Sequence, residues 1–200
     1  MTSRDHPLPI DLASRPLDLL ETAGPFWRIH ETSRAAIFFG RKGRLDYRFD
    51  DPAGRHGVLY CATSPEGAFA ETLVKGSKGK AFVDAARIAD RSIAQLTTRR
   101  RLRVVNLADN HLARLGCDSR LFSDTAYEVA QAWSAALHDH PDAPDGLFCN
   151  ARRDPSTRSL ALFEDRVTGT LVVKRSTELK NPSYGITLDE MLERYRAALI

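Results

Sequence analysis

Short apolar runs, separated by glycine, proline and charged residues, follow one another along the chain from Phe26 onward. Runs of this length are typical of β-strands. We expect a hairpin to join RSIAQLT (91–97) to the strand within TTRRRLRVVNLAD (97–109), across a solvated arginine turn. Further strands are predicted at FWRIH (26–30), AAIFFG (35–40), GVLYCAT (57–63), LFCN (147–150), SLALFED (159–165) and GTLVVKR (169–175).

The third of these strands runs into a predicted helix. Ser64 follows the apolar run and is a good N-cap, and Pro65 suits the first turn of a helix, so helix is expected through AFAETLV (68–74). A strand that passes directly into a helix places side chains beside a cleft. This junction is therefore the first place to search for a functional site.

Two further helices are predicted from capping boxes. Thr125 with Glu128, and Thr187 with Glu190, have the Thr-x-x-Glu spacing, and apolar residues recur at helical spacing after each pair. Pro141 ends the first of these helices. Mixed strands and helices without an internal repeat predict a single α+β domain.

The first 25 residues differ in character from the rest of the chain. Prolines alternate there with apolar residues, which predicts an extended arm, with one helical turn, that packs on the body. We therefore divide the chain into an arm over 1–25 and one domain over 26–200.

Composition and charge exclude several classes of protein. The chain has 29 Lys+Arg and 26 Asp+Glu, a formal net charge of +3, which argues against a histone-like nucleic-acid binder. Three widely spaced cysteines form neither a disulfide framework nor a CxxC metal pair. The N-terminus lacks the apolar stretch of a signal peptide, and no run is long enough to span a membrane. We therefore expect a cytoplasmic protein that binds neither membrane nor nucleic acid directly.

Familiar site motifs are missing from the sequence. It contains no GxxxxGK[ST], GxGxxG, HExxH or GxSxG motif. His138 and His140 stand at the end of a predicted helix, where a helix-capping role for the imidazoles is favoured over metal binding. No metal is expected. The arginines at 99–103 have no interleaved aromatic residues for stacking on bases.

Two arginines in the strand-rich region are candidates for binding an anion. Arg28 alternates with apolar residues in FWRIH, so its guanidinium must be paired in an ion pair or must face a wet cleft. Arg48 stands just ahead of Asp50 and Asp51, which would neutralise it if it were only a turn residue. The residues alone leave both alternatives open.

Glu71 and Tyr60 are the other two candidates. The apolar face of the predicted helix runs through Phe69 and Leu73, and Glu71 points away from it. Its alternative role is a surface ion pair with Lys75. Tyr60, at the end of an apolar strand, is either a ligand platform or a core residue with a hydrogen-bonded hydroxyl.

Taken together, three segments resemble the RES family, NAD-consuming toxins of bacterial toxin–antitoxin pairs named for an arginine, a glutamate and a serine. These segments are FWRIH around Arg28, YRFDDPAGRHGVLYCATSPEGAFAETL (47–73) and DGLFCNARRDPSTRSLALFED (145–165). The resemblance extends from about Phe26 to Asp165. It implies a fold similar to ADP-ribosyltransferases, with a split mixed sheet and flanking helices around an NAD cleft.

The resemblance also implies roles for individual residues. Glu71 and Arg28 match the catalytic pair, and Arg28, Arg48, Tyr60 and Asn150 match positions that line the NAD site. Asn150 stands where the family has its serine. Three explanations stay open for it: the amide takes over the polar role, the cleft is a silent binding module, or the substitution lets a toxic protein be produced. With a register shift of one residue, Ala151 would occupy the place instead.

These residues suggest a toxin that degrades NAD by cleaving its nicotinamide–ribose bond, with phosphate or water as the acceptor. NAD is then the substrate, and no metal takes part. The alternatives are ADP-ribosylation of a cellular protein and a catalytically silent antitoxin-binding module. The family pattern further implies an Xre-type DNA-binding antitoxin as partner.

Overall fold

A computed structural model describes residues 8–40, 43–77, 79–181 and 186–200. Its strands are β1 Leu19–Thr22, β2 Phe26–Glu31, β3 Val58–Ala62, β4 Lys75–Ser77, β5 Lys80–Val83, β6 Arg91–Thr98, β7 Leu102–Asn106, β8 Gly146–Asn150, β9 Arg158–Phe163, β10 Leu171–Glu178 and β11 Ala198–Leu199. Its helices are α1 Pro65–Leu73, α2 Ala85–Ala89, α3 His111–Arg114, α4 Arg120–Ser123, α5 Glu128–His138, α6 Glu164–Val167 and α7 Leu188–Arg194, and a 3-10 turn covers Leu12–Ser14.

Most strands join one eight-stranded sheet in the order β1-β7-β8-β9-β3-β2-β6-β10. The pair β7 and β8 is parallel and the other neighbours are antiparallel, so the sheet is mixed. A second, small sheet has the order β11-β5-β4. The predicted single α+β domain with a mixed sheet is confirmed.

The large sheet is curled, as the connection between β6 and β7 shows. Only residues 99–101 separate these strands, so the chain spans at most about 14 Å there. The strand order places them five strands apart, which is about 24 Å in a flat sheet. The two ends of the sheet therefore approach each other, and the Thr97 hydroxyl donates to the carbonyl of Ala23, just after β1, at 3.1 Å.

The predicted hairpin between β6 and β7 is wrong, because these two strands do not pair with each other. β6 pairs with β2 and β10, and β7 pairs with β1 and β8. The arginine turn between them is tied to carboxylates as expected: Arg100 forms two hydrogen bonds with Asp145, at 2.6 and 2.7 Å. The closeness of the two strands in sequence suggested a hairpin. Instead, each pairs with strands from distant segments, and five positions in the strand order separate them.

Helices α1 and α5 pack against different parts of the core. α5 packs Trp133 and Leu137 against one part of the core, which includes Phe163. Phe69 of α1 belongs to a separate cluster that includes Met191 of α7. Among the described residues, no helix combines the length and apolar character that a membrane crossing requires.

Two local predictions need correction. AAIFFG (35–40) forms no strand: Ala36 is buried, and the stretch meets the sheet through a backbone hydrogen bond from Val58 N to the carbonyl of Phe39, at 2.7 Å. The run is apolar because it covers the core as a loop. Gly57 permits this contact, since a Cβ there would lie 2.4 Å from the Phe39 carbonyl oxygen.

The capping box predicted for Thr125 and Glu128 is also absent. α5 begins at Glu128 after Tyr127, with no side-chain cap, and Asp124 Oδ1 accepts from Ala126 N at 3.2 Å instead. The other capping signals are confirmed. The Ser64 hydroxyl accepts from Gly67 N at the start of α1, and Thr187 and Glu190 form the capping box of α7.

The segment predicted as an arm contributes to the large sheet. β1 pairs with β7, placing Leu19 opposite Val105, and the preceding 3-10 turn buries Leu12. Residues 1–7 of the predicted arm lie outside the described residues.

Candidate functional site

The structure contains a cleft of about 510 Å³, within the range of small-molecule sites. Its walls include β2, the loop between β2 and β3, β3, α1, the end of β8 and the loop that follows β8. The structure brings all five residues singled out from the sequence to its surface. They are Arg28, Arg48, Tyr60, Glu71 and Asn150.

The junction of β3 and α1 positions Glu71. Ser64 and Pro65 start the helix, and Phe69 and Leu73 turn its apolar face into the core. Glu71 is left exposed on the cleft side, where its Oε1 accepts a hydrogen bond from Arg153 N at 2.6 Å. Within the described chain, no ion pair joins it to Lys75, so the alternative surface pair is not formed.

Arg28 lies on β2 with its guanidinium directed into the cleft. Its Nη1 is buried and makes no hydrogen bond to the described residues, and none of their carboxylates forms an ion pair with it. Burial lowers the pKa of Arg28, and the neighbouring Cys61 and Tyr47 oppose this only in part. Among the described residues the alternative of a structural ion pair is therefore not realised, and none of them gives Arg28 a counterion.

Arg48 is held by backbone carbonyls instead of by the acids that follow it. Its guanidinium donates to the carbonyls of Leu121 at 3.2 Å and Asp124 at 2.6 Å, and it lies 4.7 Å from the centre of the Tyr127 ring. Burial lowers the pKa of Arg48. Since carbonyls are neutral, its charge remains available to an anion in the cleft.

The two acids near Arg48 are engaged elsewhere. Asp50 accepts from the Tyr60 hydroxyl at 3.0 Å and from Tyr47 N at 2.8 Å. Asp51 is bound by Arg55 through hydrogen bonds at 3.0 and 3.1 Å. The interpretation of Arg48 as a turn residue neutralised by these acids is wrong.

Tyr60 is a core residue with a hydrogen-bonded hydroxyl, and it also borders the cleft. Its hydroxyl donates to Asp50 and accepts from Phe49 N at 2.9 Å, while burial raises its pKa well above the ordinary value. With its hydroxyl engaged, Tyr60 offers the cleft mainly its ring.

Asn150, at the end of β8, has an unsatisfied polar atom. Its Oδ1 is buried and has no partner among the described residues. Leaving such a group unpaired costs about 1–3 kcal/mol, so a ligand that donates to it would recover part of that cost.

Sequence reasoning missed the arginines of the loop after β8. Arg152 and Arg153 are exposed and line the cleft, and the charge of Arg152 lowers the pKa of Arg48, which shows that they are near each other. The RRDP tetrapeptide was visible in the sequence, but nothing local indicated which way it would face. Across the described lining, arginines outnumber acids: Arg28, Arg34, Arg48, Arg87, Arg91, Arg152 and Arg153 against Glu31, Asp46 and Glu71.

The histidines at the end of α5 lie outside this cleft. His138 contacts Asp139 at 2.9 Å and Asp165 at 3.0 Å, and His140 contacts the carbonyl of Arg15 at 3.1 Å. Neither ring hydrogen-bonds a terminal carbonyl of α5 in the described structure, so the predicted capping role is wrong. His138, His56 and Asp165 present ligand atoms within 4.8 Å of one another, but both nitrogens of His138 already face carboxylates.

Comparisons with known proteins identify the fold and the family. The structure is similar to the crystal structure of the M. tuberculosis MbcT–MbcA toxin–antitoxin complex, with a TM-score of 0.61 and 17% identity over 88% of this chain and 90% of that chain. At this identity the similarity shows a shared fold. No curated protein matches the sequence. A model of the RES domain matches residues 25–181, which is most of the chain and contains every residue of the candidate site, and the chain therefore belongs to the RES domain family.

Proposed function

We propose that this protein is the toxin of a toxin–antitoxin pair and that it destroys NAD by cleaving the bond between nicotinamide and ribose. The observation that carries the proposal is the position of Glu71. Its carboxylate faces a cleft that also contains Arg28 with no counterion among the described residues. A carboxylate in a cleft whose described lining has more arginines than acids suits a substrate with two phosphates and a ribose that becomes positively charged.

The chemistry gives Glu71 a defined task. When the glycosidic bond breaks, its electron pair leaves with nicotinamide, whose ring nitrogen becomes neutral, and positive charge develops on the ribose. A carboxylate near that carbon stabilises the charge electrostatically. An oxygen of phosphate or water then forms the new bond to the same carbon, releasing ADP-ribose 1″-phosphate or ADP-ribose.

The arginines are suited to the pyrophosphate. A guanidinium engages two phosphate oxygens at once, and the energy gained is larger in a cleft that excludes water. Arg28 and Arg48 lack carboxylate partners in the described structure, so binding an anion breaks no ion pair. The Tyr60 ring provides a surface for a planar group, and Asn150 provides a polar contact in place of the family serine.

The proposed partner is an Xre-type DNA-binding antitoxin. Support comes from the similar structure, which is that of a toxin–antitoxin complex. Toxin and antitoxin would meet in the cytoplasm, where NAD is available.

The test is incubation of the purified protein with NAD, with and without phosphate, followed by separation of the products. We expect NAD loss with stoichiometric release of nicotinamide. Formation of ADP-ribose 1″-phosphate marks phosphorolysis, and free ADP-ribose marks hydrolysis. The Glu71→Gln variant is the inactive control, and Glu193→Gln, an exposed change on α7, is the matched surface control.

Three outcomes contradict the proposal. If a folded wild-type protein and its Asn150→Ser variant both leave NAD intact, the protein does not cleave NAD. Absence of NAD binding in isothermal titration as well indicates a silent antitoxin-binding module. If ADP-ribose appears instead on a lysate protein, the activity is ADP-ribosyl transfer.

A further inference from the structure

The C-terminal helix α7 lies beyond residue 181, where the RES match ends. It is nevertheless anchored in the core, since Met191 is fully buried in the cluster that contains Phe69 of α1. Its C-cap residue, Tyr195, extends this contact, because the Tyr195 ring is nearly parallel to that of Phe69 at an angle of 14° and a centroid distance of 6.3 Å.

The Tyr195 hydroxyl connects two walls of the cleft. It lies 2.8 Å from Asp154 Oδ2, in the loop after β8, and 3.1 Å from the carbonyl oxygen of Glu66, in the first turn of α1. The Tyr195 side chain, which lies outside the residues matched by the RES domain, therefore contacts both the helix that carries Glu71 and the loop after β8.

Asp154 in turn organises that loop. Its Oδ1 accepts from Ser156 N at 3.1 Å, and its carbonyl accepts from Thr157 N and the Thr157 hydroxyl, both at 2.9 Å. Ala151 N donates to the Thr157 carbonyl at 3.1 Å and closes the loop at its base. The residue before Asp154 is Arg153, whose N–H binds Glu71 at 2.6 Å.

These contacts form one continuous chain. The Arg153 N–H binds Glu71, Arg153 adjoins the turn at Asp154, and one carboxylate oxygen of Asp154 accepts from the Tyr195 hydroxyl. We propose that Tyr195, acting through Asp154, is a positioning residue that sets the Glu71 carboxylate for the reaction; the proposal rests on the function proposed above.

The experiment compares Tyr195→Phe with wild type and with the matched control Glu193→Gln on the same helix. Phenylalanine keeps the ring against Phe69 and removes only the hydroxyl. We expect amide exchange in residues 151–157 to become about tenfold faster, as loss of one hydrogen bond to a charged group implies, with exchange in β6 and β7 unchanged. In NAD cleavage, kcat should fall about tenfold while KM stays within about twofold, because the arginines that bind substrate are untouched.

A second variant tests whether Tyr195 acts through Asp154. Asp154→Ala should speed exchange of the loop at least as much, because it removes the contact to Tyr195 and also the bond from Ser156 N; combining it with Tyr195→Phe should add little. Additive effects of the two changes would overturn the proposal, as would unchanged exchange in 151–157 with Tyr195→Phe. Equal falls in activity for Tyr195→Phe and Glu193→Gln would also overturn it. The exchange measurement needs no activity, so it tests the coupling of Tyr195 to residues 151–157 even if the wild type leaves NAD intact.

Discussion

The carboxylate of Glu71 and the backbone N–H of Arg153 are 2.6 Å apart, although 82 positions separate them in the chain. This hydrogen bond joins α1 to the loop after β8 and orients one oxygen of the carboxylate, Oε1. A backbone donor lets Glu71 keep its charge without a neutralising side chain. The bond therefore links the fold of two distant segments to the chemistry proposed for the cleft.

Glu71→Gln should abolish NAD cleavage while leaving the fold intact. The amide oxygen of glutamine can still accept from Arg153 N, so the structure is preserved and only the negative charge is lost. We expect kcat to fall about 10²–10³-fold, the range found when one electrostatic contact to the transition state is removed. Steady-state kinetics and a melting curve test this. A folded variant with unchanged kcat would contradict the assignment.

Arg28→Met should stabilise the protein and weaken substrate binding at the same time. Nη1 of Arg28 is buried without a partner among the described residues, so removing the charged group relieves a cost of about 1–2 kcal/mol. For a chain of this size we expect Tm to rise by about 2–8 °C. Calorimetry and titration with NAD provide both measurements. A lower Tm with unchanged NAD affinity would show that Arg28 is structural.

Asn150→Ala should weaken NAD cleavage, while Asn150→Ser should stay close to wild type. The buried Oδ1 of Asn150 has no partner in the described structure, so its contact is free for the substrate. Losing one such contact costs about 1–3 kcal/mol, or about 5- to 150-fold in kcat/KM. If the alanine and serine variants have the same kcat/KM as wild type, position 150 does not touch the substrate.

Gly67→Ala should destabilise the protein although alanine is the better helix former. A Cβ at position 67 would lie 2.9 Å from Thr157 Oγ1 and 3.1 Å from Thr157 Cβ, so α1 would be pushed from the loop that carries Arg153. We expect a net loss of about 1–2 kcal/mol in the free energy of unfolding and a lower kcat. Gly76→Ala is the control, since the nearest atom to its Cβ would be at 3.9 Å. Equal stability of the two variants would be the contrary result.

Stability should fall in mild acid because of His56. Burial lowers the pKa of His56, and the nearby His138 lowers it further. The unfolded chain then binds a proton more readily than the folded chain, so stability is lost as the pH falls below the ordinary value of 6.5. Melting curves at pH 7.5 and pH 5.5 should differ more in wild type than in His56→Phe. Acids with lowered pKa, such as Asp165, contribute only at lower pH.

Much of the site was predictable because its determinants are local. Ser64 and Pro65 define the start of α1 through bonds within one helical turn, and the apolar spacing of Phe69 and Leu73 turns Glu71 outward. The motifs around these residues also indicated the family. In contrast, Thr125 and Glu128 have the local pattern of a capping box and form none: α5 begins at Glu128, and Asp124 Oδ1 accepts from Ala126 N instead.

The sequence by itself determined the α+β class, most strands, the start of α1 and the residue types available for the cleft. Only the tertiary structure decided that β6 and β7 lie five positions apart in a curled sheet. It also decided that Arg28 has no carboxylate partner among the described residues. It also decided that Arg153 and Tyr195 reach Glu71 and Asp154. The physical reason is that helix caps and apolar spacing act within a few residues, whereas strand pairing and backbone hydrogen bonds to side chains join distant segments whose positions depend on the whole core.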